Sequence, residues 1–189
     1  MSVRTRDRIV AAAAEMATDE GWSQLTMAKL ARTAGVSRQT VYNELGSKSE
    51  LAEAVVLREV AVFLGRVDDA FRDHPDNAIT AIQAAAYAVL ETAPSSKLLQ
   101  MILGGGNGAG DDLLPLLTTR SGASVETAAA VVTEWLQTYG LGLDDDHLQV
   151  AVDAIVRLMF SHITHPGGPA DAVARDVAWV ASRLLGISA

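Results

Sequence analysis

The chain has 189 residues, of which 49% are hydrophobic and 20% charged, and its formal net charge is −8. That length suits one compact domain, or a small domain leaning on a larger one, and the apolar content excludes wholesale disorder. The sequence holds no cysteine, which excludes disulfides, thiolate metal sites and cysteine nucleophiles. Arg4, Arg6 and Arg8 precede an apolar stretch, as in a signal peptide, but Glu15, Asp19 and Glu20 interrupt it too early. Nor does any segment reach the roughly 18 uninterrupted apolar residues of a membrane span. The expectation is a cytoplasmic protein with no membrane contact.

The elements predicted from periodicity and punctuation are helices throughout, so the expected class is all-α. A first helix over about Thr5–Asp19 carries Ile9, Ala13, Met16 and Ala17 on one face, with Gly21 as its C-terminal cap. Short helices follow over about Thr26–Ala34 and from Ser37 to about Leu45. Ser47 and Glu50 have the spacing of a capping box, opening a long helix to about Arg72. Further helices are expected at about 77–92, 95–103, 112–120, 124–139, 145–164 and 170–185. The run Gly104–Gly110 lacks the ending of a phosphate-binding loop and reads as a flexible connection, with a role in gating as a further expectation. The last two helices are apolar over a wide arc, which predicts contact with a second subunit.

Charge is spread unevenly: residues 1–50 carry seven basic groups against six acidic ones, while the remainder is strongly acidic. A chain of this kind can present one face to a polyanion while the rest is repelled. The segment Leu25–Leu45 has what a helix-turn-helix requires. Ala31 is small where two helices must cross, Gly35 tolerates positive φ, Val36 plugs the turn, and Ser37 can cap the second helix. Leu30, Ala34, Val41 and Leu45 supply a shared core. Left facing outward are Ser37, Arg38, Gln39, Thr40, Tyr42 and Asn43, a polar face without net negative charge. In a major groove, Arg pairs with guanine, and Gln or Asn with adenine. Thr26 and Lys48 open the flanking helices, where the backbone dipole favours phosphate, and Tyr42 offers its hydroxyl.

Gly35-Val-Ser-Arg-Gln-Thr-Val-Tyr-Asn-Glu-Leu-Gly-Ser-Lys-Ser-Glu-Leu51 resembles the DNA-binding signature of TetR-family transcriptional regulators. The resemblance is specific over about residues 5–52. It implies a three-helix helix-turn-helix headpiece joined by a long helix to a helical effector and dimerisation domain, with division at 1–47 and 48–189. It also implies a homodimer, paired through its last two long helices, that binds a double-stranded operator. On the matching positions, the residues expected at DNA are Thr26, Ser37, Arg38, Gln39, Thr40, Tyr42, Asn43 and Lys48. Members of the family commonly carry a bulky aromatic where this chain has Leu45, and often His where it has Asn43.

For the effector body only local chemistry guides the reading. Gln83, Tyr87, Met101, Trp135, Tyr139, Met159 and His162 are polar, aromatic or polarizable insertions in helices rich in Ala, Val and Leu. They are candidate ligand-binding residues in a largely apolar cavity, although each also suits an ordinary core. The scarcity of positive residues there favours a small hydrophobic effector, of fatty-acid or acyl type or a lipophilic xenobiotic. His162 and His165, with Asp153 or His147, lack the close-spaced ligand set of a metal site, and Asp144–Asp146 reads as a helix cap. No catalytic residue, metal or cofactor is expected. The alternatives are a helical lipid- or small-molecule-binding protein, and an activator or ligand-independent regulator of the same fold.

Overall fold

The computed structural model describes residues 3–104 and 112–187, and these are helical with no strand. The order is α1 (Val3–Glu20), a 3₁₀ turn (Trp22–Gln24), α2 (Met27–Thr33), α3 (Arg38–Leu45) and α4 (Lys48–Asp73). Then come α5 (Ala78–Thr92), a second 3₁₀ turn (Ala93–Ser95), α6 (Lys97–Leu103) and the one-turn α7 (Leu114–Leu117). The chain ends in α8 (Gly122–Gln137), α9 (Asp145–Thr164) and α10 (Ala170–Leu184). Most expected helices appear within a few residues of their predicted bounds. The stretch expected at 112–120 is shorter. Thr118 leaves helical geometry at φ −124°, ψ −91°, and the Arg120 N–H turns back to the Pro115 carbonyl. The expected connection at Gly104–Gly110 lies, beyond Gly104, outside the described residues.

The chain divides into two compact units, Met1–Glu59 with Ser96–Ser121, and Val60–Ser95 with Gly122–Ala189. In the first, α1 packs on α2 and α3, and α6 lies against α1. Ile9, Ala13, Met16 and Ala17 are buried as their spacing predicts, and Trp22, Leu25, Leu51 and Val55 join them. Each large side chain buried there contributes roughly 1.5–3 kcal/mol. Ser96 caps α6 by accepting from the Leu99 N–H, and its hydroxyl donates to Glu59.

In the second unit the main contact is α5 against α10. Ala78, Ala81, Ile82, Ala85, Ala86 and Val89 form a buried stripe at helical spacing, facing a matching stripe of Val173, Ala174, Val177, Ala178 and Ala181. Alanines on both stripes leave little between the two backbones. Helix α9 packs on α8 and α10, burying Leu148, Ala151, Val152, Ile155 and Val156. Among the described residues no helix is long and apolar enough to cross a membrane.

Candidate nucleic-acid interface

The site is built by α2, α3 and the start of α4. Thr26 caps α2, its side chain accepting from the Lys29 N–H at 3.2 Å. Helix α2 stops at Gly35, where φ is +64°, a conformation that favours glycine. The chain then turns back through Val36, whose N–H bonds the Ala31 carbonyl at 3.0 Å. Ser37 caps α3, accepting from the Thr40 N–H at 3.0 Å, and its hydroxyl also pairs with that of Thr40. Gly46, at φ +63°, ends α3. Ala31 is buried at the crossing, and Leu30, Ala34, Val41 and Leu45 form the shared core. Leu45 is thus a core side chain, and a bulky aromatic at this position would be a change of packing.

With those residues buried, α3 leaves a polar face outside. Ser37, Arg38, Gln39, Tyr42 and Asn43 are exposed and Thr40 is half-buried. Tyr42 keeps 44% of its surface although it is a large ring. Gln39 donates from Nε2 to Asn43 Oδ1 at 2.8 Å, so the two amides one turn apart are already oriented as a pair. At the next helix the capping box is complete. Ser47 donates its N–H and its hydroxyl to one Glu50 oxygen, at 2.7 and 2.8 Å, and accepts from the Glu50 N–H at 3.2 Å.

Lys48 opens α4 beside this box. Its ammonium donates to the Trp22 carbonyl at 3.2 Å and stands 5.3 Å from the centre of the Trp22 ring. Trp22 is fully buried, and its indole N–H donates to Asp112 at 2.8 Å. Sequence reasoning singled out neither Trp22 nor Asp112, because 90 residues separate them and no local pattern joins them. All eight residues expected at DNA therefore fall in one short stretch of α2, α3 and α4, and six of them lie on or at the cap of α3.

The seven effector-body candidates are not gathered in this way. Met101 is half-buried in the first unit, and the other six belong to the second. Gln83 and Tyr87 sit on the exposed side of α5, where Tyr87 donates to Glu91 at 2.7 Å. That hydrogen bond and the carboxylate's charge hold the Tyr87 hydroxyl above its ordinary pKa. Trp135 in the last turn of α8 and Tyr139 just beyond that helix are both pinned to the end of α4. Trp135 donates to Asp68 at 2.8 Å and stacks on Phe71, while Tyr139 donates to the His74 carbonyl at 2.8 Å. Partial burial, then the charge of Asp76, raises the Tyr139 pKa. Met159 and His162 are half-buried on α9. Asp144 caps α9 as expected, accepting from the His147 N–H at 2.8 Å. His147 also pairs with Asp144 through its ring, and Asp153 pairs with Arg157.

A helix-turn-helix whose second helix offers a polar outer face, flanked by Thr26 and Lys48, defines a helical DNA-binding protein. Comparison with known proteins makes the assignment particular. The family described as "Bacterial regulatory proteins, tetR family" matches residues 9–55, and "Bacterial Tetracyclin repressor, C-terminal domain" matches residues 77–183. The chain is 32% identical over 179 residues to the HTH-type transcriptional regulator AlkX of Mycobacterium tuberculosis, covering 92% of this chain and 81% of that one. Among solved structures it is similar to the TetR-family repressor AlkX from Dietzia sp., implicated in biodegradation of n-alkanes. That likeness has a TM-score of 0.79, 26% identity and 96% coverage of both chains. The fold is also shared with the TetR-family repressor QsdR of R. erythropolis, at TM-score 0.71 and 21% identity, covering 100% of this chain and 98% of that one. The chain belongs to the TetR family of transcriptional regulators.

Proposed function

We propose that this regulator is a cytoplasmic repressor that binds a pseudopalindromic operator as a homodimer and is released by a small hydrophobic effector. The observation that carries the reading is the outer face of α3. Cap, core and turn are all satisfied inside the headpiece, while Arg38, Tyr42 and the Gln39–Asn43 pair stay exposed to base edges and phosphates. Thr26, Ser37, Thr40 and Lys48 complete the surface. Residues 1–47 act as the DNA-binding part and residues 48–189 as the effector and dimerisation part.

Dimerisation is supported by the last two helices. Trp179 of α10 is 58% exposed, Val150 of α9 is 68% exposed, and Leu184 at the end of α10 is exposed too, large apolar side chains that a partner subunit would cover. Two recognition helices in successive major grooves would then stand roughly 34–36 Å apart or somewhat more. The effector reading rests on the Ala, Val, Leu and Met content of the body and its scarcity of cations, with Gln83, Tyr87, Met101, Trp135, Tyr139, Met159 and His162 as candidate contacts. An alkyl-chain effector also fits the likeness to a repressor implicated in n-alkane biodegradation. Helix α4 is continuous from Lys48 to Asp73, so a single helix carries the headpiece's last contact and runs on into the effector part of the chain. An effector need only bind the two dimer states unequally to shift operator affinity.

The test is titration of fatty acids, acyl thioesters and alkanes into a complex of the protein with operator DNA selected from a random pool. Release at effector concentrations that leave the protein dimeric supports the proposal. Selected DNA that stays bound through every hydrophobic series points to a ligand-independent regulator, and failure to bind any duplex points to a helical carrier protein.

A further inference from the structure

Trp22 is held on three sides. Its ring is fully buried in the turn that packs on α1, its indole N–H ends on the Asp112 carboxylate at 2.8 Å, and its carbonyl and ring face carry the Lys48 ammonium. Lys48 is a flexible four-carbon chain that would ordinarily sample many rotamers in solvent. Here one ammonium proton goes to a backbone carbonyl and the cation rests against an aromatic face, so its position follows the position of Trp22. Trp22 in turn follows Asp112, because a buried indole N–H requires an acceptor and Asp112 supplies a charged one. Asp112 lies 90 residues beyond Trp22, just ahead of α7 and in the Ser96–Ser121 part of the same unit.

We infer that Asp112 and Trp22 are positioning residues for the DNA contact made by Lys48: the carboxylate fixes the tryptophan, and the tryptophan holds the ammonium where a phosphate meets it. The inference rests on the proposed phosphate role of Lys48. It places one determinant of DNA affinity outside the helix-turn-helix, on a side chain that touches no nucleic acid. An acidic residue in this role runs against its own electrostatics, since a nearby negative charge by itself disfavours a polyanion. That opposition separates positioning from a plain charge effect.

The experiment measures binding of the full chain to one fixed duplex over a series of salt concentrations, for Lys48→Ala, Asp112→Ala, Asp112→Asn, Trp22→Phe and the double variant Lys48→Ala/Asp112→Ala. Loss of one phosphate contact on B-DNA lowers the slope of log affinity against log salt by about 0.9. Lys48→Ala is expected to show this drop, and Asp112→Ala a drop toward it. The double variant is expected to lose no more than Lys48→Ala. Asp112→Asn keeps an amide oxygen for the indole proton and is expected to restore the slope. Trp22→Phe keeps an aromatic face and the carbonyl but loses the indole N–H, so it is expected to match Asp112→Ala. It also serves as the readout if Asp112→Ala does not fold. Tighter binding by Asp112→Ala and Asp112→Asn alike would show a charge effect and overturn the inference. A full Lys48→Ala effect beside wild-type slopes for Asp112→Ala or Trp22→Phe would overturn the positioning alone. An unchanged slope for Lys48→Ala would overturn the phosphate role beneath it.

Discussion

Gly35 and Gly46 bracket the recognition helix and share a positive φ, +64° and +63°, yet replacing them should not cost the same. A Cβ at Gly35 meets nothing within 4 Å, so Gly35→Ala carries only the penalty of left-handed backbone, about 1–2 kcal/mol. A Cβ at Gly46 falls 2.1 Å from Glu50 Oε2. At ψ −85° Gly46 lies outside the left-handed helical region, so an alanine is more strained there, and the carboxylate must also swing away from the Ser47 N–H and hydroxyl from which it now accepts. The carboxylate is the far end of a flexible side chain, so the added loss is that of the capping box, about 1 kcal/mol, rather than of an unrelieved clash. At this chain length each kcal/mol lowers the midpoint by about 2–4 °C. Thermal unfolding of both alanine variants, each made with Glu50 intact and with Glu50→Ala, checks the difference. Gly46→Ala should be the more damaging in both backgrounds, and by a smaller margin in the second. Equal losses with Glu50 present, or a margin that Glu50→Ala leaves unchanged, would refute the reasoning.

Three further outcomes are expected. Gln39→Ala should change base preference at one position per half-site, by about 1–3 kcal/mol, while leaving random-sequence affinity nearly unchanged; equal loss on specific and random DNA would remove its reading role. Trp135→Phe keeps the stack on Phe71 but loses the bond to Asp68, so unfolding free energy should fall by about 1–2 kcal/mol, measured by urea denaturation, with operator affinity retained. The Asp144 carboxyl is held below its ordinary pKa, first by the His147 backbone N–H and then by the His147 ring. Its contribution is therefore complete above the ordinary carboxylate range and is lost as pH falls through the lowered value. Asp144→Ala should lower the melting temperature at neutral pH, and the gap to the wild type should close in acid. A gap that widens on acidification would reverse the sign assigned here.

The headpiece was legible in the sequence because each of its signals is local. Thr26, Ser37 and Ser47 cap within three residues, Gly35 marks the turn between the two helices, and the spacing of Leu30, Ala34, Val41 and Leu45 fixes which face of α3 stays outside. The joining of α6 and α7 to the headpiece unit was not legible, since it depends on contacts between segments far apart in the chain. The same holds for Trp22 with Asp112 and Trp135 with Asp68, where two indole N–H groups take carboxylates 90 and 67 residues away. Gln83 and Tyr87 teach a different lesson. The stripe Ala78, Ala81, Ile82, Ala85, Ala86 and Val89 already puts both on the opposite side of α5, so periodicity alone carried their exposure.

Helix α3 is proposed to read DNA as one of a symmetric pair. Selection of duplexes from a random-sequence pool by the full chain, repeated with Arg38→Ala and Gln39→Ala, tests this most directly. The wild type should enrich an inverted repeat, and each variant should relax the same position in both half-sites. Enrichment of a lone, asymmetric element, or of an inverted repeat that neither substitution alters, would contradict it.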